Sequence, residues 1–271
     1  MGFLGKKVRL NRLLGRGDGR YLGVTVDHAM ARGVLKGLDA IDDTIAKLVA
    51  GGPDAITMHK GIAQKCFERH AGAVPLVMKC STFSPYQPDQ DTVVCDVEEA
   101  VRLGADAVSI GCIVCGDSQP GQLAALARIA KEAGSAGMPL FAHIYPRGNR
   151  IDPKDRGTWE NVAYAARVGA ELGVDLVKVN YTGDRDSFAK VAEACPAMLV
   201  AAGGEPGKEL KHYFQMTHDV LDAGGAGVTY GRFVFQYRDP VSLIKAIASM
   251  IHGNASVKEA IELLEQLERG T

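Results

Sequence analysis

The chain has 271 residues, 46% of them hydrophobic and 23% charged, and its 31 Lys and Arg nearly cancel 32 Asp and Glu. That balance leaves no electrostatic footprint for nucleic acid or an anionic membrane surface, and no run of eighteen apolar residues is present to span a bilayer. Six cysteines without dense disulfide spacing fit reduced cytoplasmic thiols, and the opening Gly2-Phe3-Leu4-Gly5, interrupted by Lys6, Lys7 and Arg9, does not read as a signal peptide.

In chain order, short apolar runs alternate with runs of helical period. Strands are expected over residues 21–26, 55–58, 76–78, 107–110, 140–144, 176–179, 198–201 and 227–230. Helices are expected over 40–50, 97–103, 122–133, 159–172, 188–194 and 210–223, with a last pair over 241–267 broken at Gly253-Asn254. Several helices stop at a glycine just ahead of a strand, as in Leu103-Gly104-Ala105-Asp106 and Leu172-Gly173-Val174-Asp175. Glycine suits the left-handed position after a last helical turn. Strands separated by helices of this length indicate βαβ units and a parallel sheet, and eight such units closing on themselves make a (β/α)8 TIM barrel. With no linker composition to interrupt it, residues 1–271 are expected to form a single domain. A doubly wound open sheet would want a glycine-rich turn after the first strand, which here runs into Asp27-His28.

The chemistry of such a barrel gathers at the C-terminal ends of its strands. Those ends carry Asp27 and His28, His59 and Lys60, Lys79, His143 and Tyr145, and Lys178 where ordinary turn residues would be expected. Lys178 lies in the apolar run Val174-Asp175-Leu176-Val177-Lys178-Val179-Asn180-Tyr181. An ammonium at the end of a buried strand is costly unless it is paired or neutralised. A lowered pKa is the usual escape and makes the lysine a nucleophile for imine chemistry; the alternative is a side chain that snorkels to the surface. Tyr145 precedes Pro146-Arg147-Gly148, a turn that presents a guanidinium. Gly203-Gly204 and Gly231-Arg232 follow the last two strands, where loops of this fold commonly hold phosphate. Cys112 and Cys115 have redox-pair spacing without its context, and are expected as two ordinary thiols in a loop. His28, His59 and His143 leave a metal-dependent barrel lyase open, although no carboxylate or cysteine adds a supporting ligand spacing.

Taken in order, the blocks Val26-Asp27-His28, His59-Lys60-Gly61, Tyr145-Pro146-Arg147-Gly148, Val177 to Asp184, Ala202-Gly203-Gly204 and Gly231-Arg232 resemble a known family. They are similar to the archaeal-type class I fructose-bisphosphate aldolases and the related 2-amino-3,7-dideoxy-D-threo-hept-6-ulosonate synthases, from about Asn11 to the final helices. The resemblance implies a barrel that forms a Schiff base with a phosphorylated sugar and uses no metal or other cofactor. It implies Lys178 as the Schiff-base lysine, Tyr145 as the proton-transfer residue and Asp27 as an acidic helper. His28, Arg147, Gly203, Gly204, Gly231 and Arg232 follow as substrate and phosphate contacts. Fructose 1,6-bisphosphate is the leading substrate, cleaved to dihydroxyacetone phosphate and glyceraldehyde 3-phosphate. The alternative is the synthase, a transaldolase on the way to aromatic amino acids. A homo-oligomer, pentamer or decamer, is also implied. The chain departs from the family at Tyr230, Phe233 and Glu205, the last placed just before Pro206. A carboxylate beside a phosphate loop repels its ligand unless turned away, so Glu205 is expected to face Lys208 or solvent.

Overall fold

The computed structural model describes residues 4–204 and 207–270. Its strands are β1 Tyr21–Thr25, β2 Ala55–Met58, β3 Leu76–Lys79, β4 Ser81–Ser84, β5 Gln87–Val93, β6 Ala107–Val114, β7 Leu140–Pro146, β8 Leu176–Asn180, β9 Met198–Ala202 and β10 Gly227–Tyr230. Its helices are α1 Leu4–Leu13, α2 Ala29–Arg32, α3 Ile41–Gly51, α4 Lys60–Cys66, α5 Val97–Arg102, α6 Gln119–Ala136, α7 Trp159–Glu171, α8 Arg185–Ala194, α9 Leu210–Asp222, α10 Arg232–Phe235, α11 Pro240–Gly253 and α12 Val257–Arg269. Eight strands close into one parallel barrel in the order β1-β10-β9-β8-β7-β6-β3-β2, and β4 and β5 form a separate antiparallel hairpin. The expected (β/α)8 barrel therefore forms.

Helices reach the barrel through narrow apolar stripes. α7 buries Val162, Ala163, Ala165, Ala166 and Gly169, a one-sided pattern of helical period. A Cβ on Gly169 would stand 2.9 Å from side-chain atoms of Ile144 and Val177, so the missing side chain lets α7 lie close against β7 and β8. At the N-terminal end of the barrel, Tyr21, Val77, Phe141, Leu176 and Val200 point inward and meet Leu13 of α1 in one buried cluster. The Tyr21 and Phe141 rings meet edge to face, 5.5 Å apart. This layer makes an apolar floor, so the interior is polar only above it.

The glycine punctuation of the sequence has a second half. Gly52, Gly104 and Gly173 adopt positive φ, and an aspartate follows each by two residues. Asp54, Asp106 and Asp175 accept backbone N–H groups from Leu22, Leu76 and Leu140 at 2.6, 3.2 and 2.9 Å. Each carboxylate thus ties the foot of one strand to its neighbour. The N-terminal segment then pairs with the same three acids: Arg16 with Asp54 at 3.5 Å, Arg12 with Asp106 at 3.1 Å and Lys6 with Asp175 at 2.7 Å.

Three features differ from the sequence expectation. β6 continues past residue 110 to Val114 and stays paired with β7 as far as Val114↔Pro146; Gly111 interrupts the apolar run without ending the strand. Cys112 consequently lies buried in β6 and only Cys115 sits beyond it, so the two thiols do not share a loop. The β4–β5 hairpin and the helices α1, α2, α4 and α10 carry no periodic apolar signal and go unpredicted.

Because Leu13 is fully buried in the floor, Leu13→Ala is expected to lower unfolding stability by about 2–5 kcal/mol, the usual range for deleting a buried leucine side chain. Urea denaturation measures it, and a loss below about 1 kcal/mol would mean that α1 does not seal the barrel.

Candidate active site

Alternate residues of a strand face the same way, so His143 and Tyr145 on β7 share the inward face. His143 is in register with Lys178 on β8 and with Gly111 on β6. These positions open on a cavity of about 360 Å³ at the C-terminal mouth of the barrel, where this fold places its chemistry. Asp27, His28, Tyr145, Arg147, Lys178, Gly203, Gly204, Gly231 and Arg232 all lie on its wall. The nine candidates are therefore brought together. His59 and Lys60 are not: the His59 Nδ1 lies 3.1 Å from the Lys79 carbonyl oxygen, and Lys60 pairs with Glu99 at 2.7 Å.

Lys178 is only 7% exposed. Burial pushes its amine down to about 8; Asp27 opposes the shift, and Lys79 and Arg232 add to it. Asp27 is pulled both ways. Burial alone would raise it, but His28, His143, Lys79 and Lys178 outweigh that and hold the carboxyl below its usual range. Burial keeps His143 well below the usual imidazole value, with Lys178 and Lys79 reinforcing the effect, and brings His28 to about 4 despite Asp27. Both rings are therefore neutral at pH 7. Burial also raises the Tyr145 hydroxyl against the pull of Arg147, so it stays a phenol. The Asp27 carboxylate, the titratable Lys178 amine and the proton-bearing Tyr145 phenol thus face the same space.

The glycine loops are built by close approach. A Cβ on Gly203 would lie 2.6 Å from the Tyr230 ring, and one on Gly231 would lie 2.3 Å from His28 Cε1. Arg232 Nη2 donates to the Gly204 carbonyl oxygen at 2.9 Å, tying the two loops together. This accounts for two residues that depart from the family pattern. Tyr230 packs under Gly203 with its hydroxyl 2.7 Å from Thr217 Oγ1, and Phe233 stacks on Tyr213 with ring centroids 3.8 Å apart. Glu205 and Pro206 lie outside the described residues.

Several wall residues had no signal in the sequence: Arg32 of α2, Phe83 of β4, Asp91 of β5 and Arg156. The Arg147 guanidinium lies 4.1 Å over the Phe83 ring, a favourable cation–π contact. The one usable clue was Gly111, since a glycine inside an apolar strand often marks a close approach; it is where Asp91 enters. Among the described residues no three or more His, Cys, Asp or Glu side chains stand where they could share a metal ion. The three imidazoles do not form one ligand set.

The family described as DeoC/LacD family aldolase matches residues 22–237. A 2-amino-3,7-dideoxy-D-threo-hept-6-ulosonate synthase of Halobacterium salinarum is 36% identical over 259 residues, 95% of each chain. A 2-amino-4,5-dihydroxy-6-oxo-7-(phosphonooxy)heptanoate synthase of Streptomyces griseus is 32% identical, covering 93% of this chain and 92% of its own. Among solved structures, an archaeal fructose-1,6-bisphosphate aldolase with its catalytic lysine covalently bound to the carbinolamine intermediate of the substrate is similar at a TM-score of 0.83. It is 30% identical and covers 92% of this chain and all of its own.

The depressed Lys178 amine has a measurable cost. The folded state disfavours the ammonium, so the penalty is full below about pH 8 and fades as pH rises towards the unfolded value of 10.5. Lys178→Met should therefore stabilise the fold at pH 7 by roughly 1–3 kcal/mol, with the gain shrinking above pH 8. Denaturant unfolding at pH 7 and pH 9.5 checks both parts; a variant less stable than the parent at pH 7 would show the amine to be well accommodated.

Proposed function

This chain belongs to the DeoC/LacD family of aldolases, and we propose that its Lys178 joins a three-carbon ketone phosphate to a four-carbon amino acid aldehyde. One observation carries the reading: a nearly dry amine with a pKa near 8 stands between two polar ends of a single cavity. β8 lies between β9 and β7 in the ring. The loops after β9 and β10, with Gly203, Gly204, Gly231 and Arg232, would take the phosphate. The side built by β7, with Tyr145 and Arg147, would take the aldehyde.

The heptanoate named for the Streptomyces relative carries phosphate on carbon 7, a ketone at 6, hydroxyls at 4 and 5 and an amine at 2. An aldol reaction makes the bond between the carbon beside the ketone and the carbinol carbon beyond it. The skeleton thus divides into dihydroxyacetone phosphate and 2-amino-4-oxobutanoate. In the condensation, the neutral Lys178 amine adds to the ketone carbon. Asp27 relays a proton from solvent to the carbinolamine hydroxyl, which leaves as water while the nitrogen keeps its own proton as the iminium. The iminium draws electrons from the neighbouring C–H bond, whose proton passes to the Asp27 carboxylate, and the enamine forms. The enamine carbon attacks the aldehyde while Tyr145, still a phenol at neutral pH, donates its proton to the aldehyde oxygen. Water then adds to the new iminium, the proton released restores the Tyr145 phenol, and the neutral amine is freed.

Fructose 1,6-bisphosphate, the leading substrate on sequence grounds, is the second reading. The fold similarity to the archaeal fructose-1,6-bisphosphate aldolase favours it, and it shares the same ketone phosphate half. The amino aldehyde is preferred because the relatives at 36% and 32% identity over nearly full length are named for amino-heptulosonate products.

Borohydride added with dihydroxyacetone phosphate should inactivate the protein and add the reduced ketone's mass to the peptide holding Lys178. A label on Lys79 instead would defeat the assignment. The trapping rate should climb with pH and level off above about 8, because the attacking amine must be neutral. Tyr145→Phe should still trap the imine but lose about 10²–10⁴-fold in condensation rate, the usual share of a general acid; a folded variant unable to form the imine would place Tyr145 earlier in the reaction.

A further inference from the structure

We propose that Asp91, carried into the barrel by the β4–β5 hairpin, selects the aldehyde: it pairs with the α-ammonium while Arg147 pairs with the carboxylate, and it turns away aldehydes that end in phosphate. The inference rests on the condensation reading above and names the groups that would read its second substrate.

Asp91 reaches the reacting level through a gap made for it. A Cβ on Gly111 would lie 2.0 Å from Asp91 Oδ2, so the carboxylate occupies the place that an inward side chain on β6 would fill. Gly111 is in register with His143, and His143 with Lys178. A hairpin outside the ring thus supplies one side chain to the same level as the amine. The arrangement leaves polar atoms without partners. Asp91 Oδ1 is buried and unbonded, as are Nε and Nη2 of Arg147 and Nε of Arg156. Buried polar atoms normally find a partner, and unpaired ones carry a desolvation cost. Both signs of charge are therefore presented to the same space, where Asp91 raises and Arg32 and Arg156 lower the charging of Arg147.

An α-amino acid end has one positive and one negative group, and it satisfies Asp91 and Arg147 together. A phosphate dianion satisfies the guanidinium alone and places like charges side by side at Asp91, which costs binding. Selection by attraction for one substrate and repulsion of its competitor needs only this pair. The phosphate loops lie on the far side of Lys178 in the ring order, past β9 and β10, so the donor end is read by other residues.

The test supplies dihydroxyacetone phosphate with three aldehydes: 2-amino-4-oxobutanoate, 4-oxobutanoate and glyceraldehyde 3-phosphate. The parent protein should favour the amino aldehyde over its amine-free analogue by about tenfold or more in kcat/KM. Asp91→Asn should erase most of that preference through KM and raise kcat/KM for glyceraldehyde 3-phosphate. Gly111→Ala, whose new methyl group must displace Asp91, should lose the same preference and serves if the first variant folds poorly. A parent that prefers glyceraldehyde 3-phosphate would overturn both the condensation reading and this inference. A parent that prefers the amino aldehyde, with the preference intact in both variants, would leave the condensation reading standing and remove Asp91 from it.

Discussion

Lys178 is easier to deprotonate than an ordinary lysine because it is buried, and much of the surrounding architecture follows from that requirement. Below it, the floor of Tyr21, Val77, Phe141, Leu176 and Val200 closes the barrel with apolar side chains. Behind it, Gly169 lets α7 seal β7 and β8 with methyl groups. Beside it, Asp27 is the acid that opposes the shift, and it does not cancel the effect of burial. A carboxylate in full contact would restore an ordinary ammonium, whereas an amine wholly in solvent would never lose its charge at neutral pH. The site holds the amine between these limits.

The cavity above is rich in cations. Lys79, Lys178, Arg32, Arg147, Arg156 and Arg232 line it, against Asp27 and Asp91. A concave, cationic space with low-dielectric walls concentrates anionic substrates before any specific contact forms. The ring order then sorts the charges, with Arg232 placed after β10 and Arg147 after β7, on either side of the amine. The proposed reaction would stretch a substrate with an anionic group at each end across Lys178.

The strands were legible because a parallel barrel strand is buried on both faces and reads as a short apolar run. The same logic exposed Lys178, since a charge inside such a run demands a reason. Asp27, Tyr145 and Arg147 were legible as cavity residues because they stand at strand ends, whose positions the sequence places well. Asp91 was illegible for the opposite cause. Its segment, Gln87-Pro88-Asp89-Gln90-Asp91, is polar, holds a proline and has no periodicity, so nothing local says that it turns back into the barrel. Its counterpart Gly111 was visible, but the residue that fills a glycine's space is known only once tertiary structure is in hand. α1 escaped for a related reason: its basic face acquires meaning only beside Asp106 and Asp175.

Those floor contacts bear on the order in which the molecule assembles. α1 and the turn after it are synthesised ahead of every strand, yet their anchors are scattered along the chain: Lys6 needs Asp175, Arg12 needs Asp106 and Arg16 needs Asp54. Two residues of that turn wait longer still. Arg20 donates to the Ile251 carbonyl oxygen, and His252 bridges Asp18 and Asp54 at 2.6 and 2.9 Å. Contacts so distant in sequence form late, because the intervening chain must first be ordered. The segment made before the barrel is thus among the last to dock on it, and until α11 has emerged the ring of strands has no finished underside.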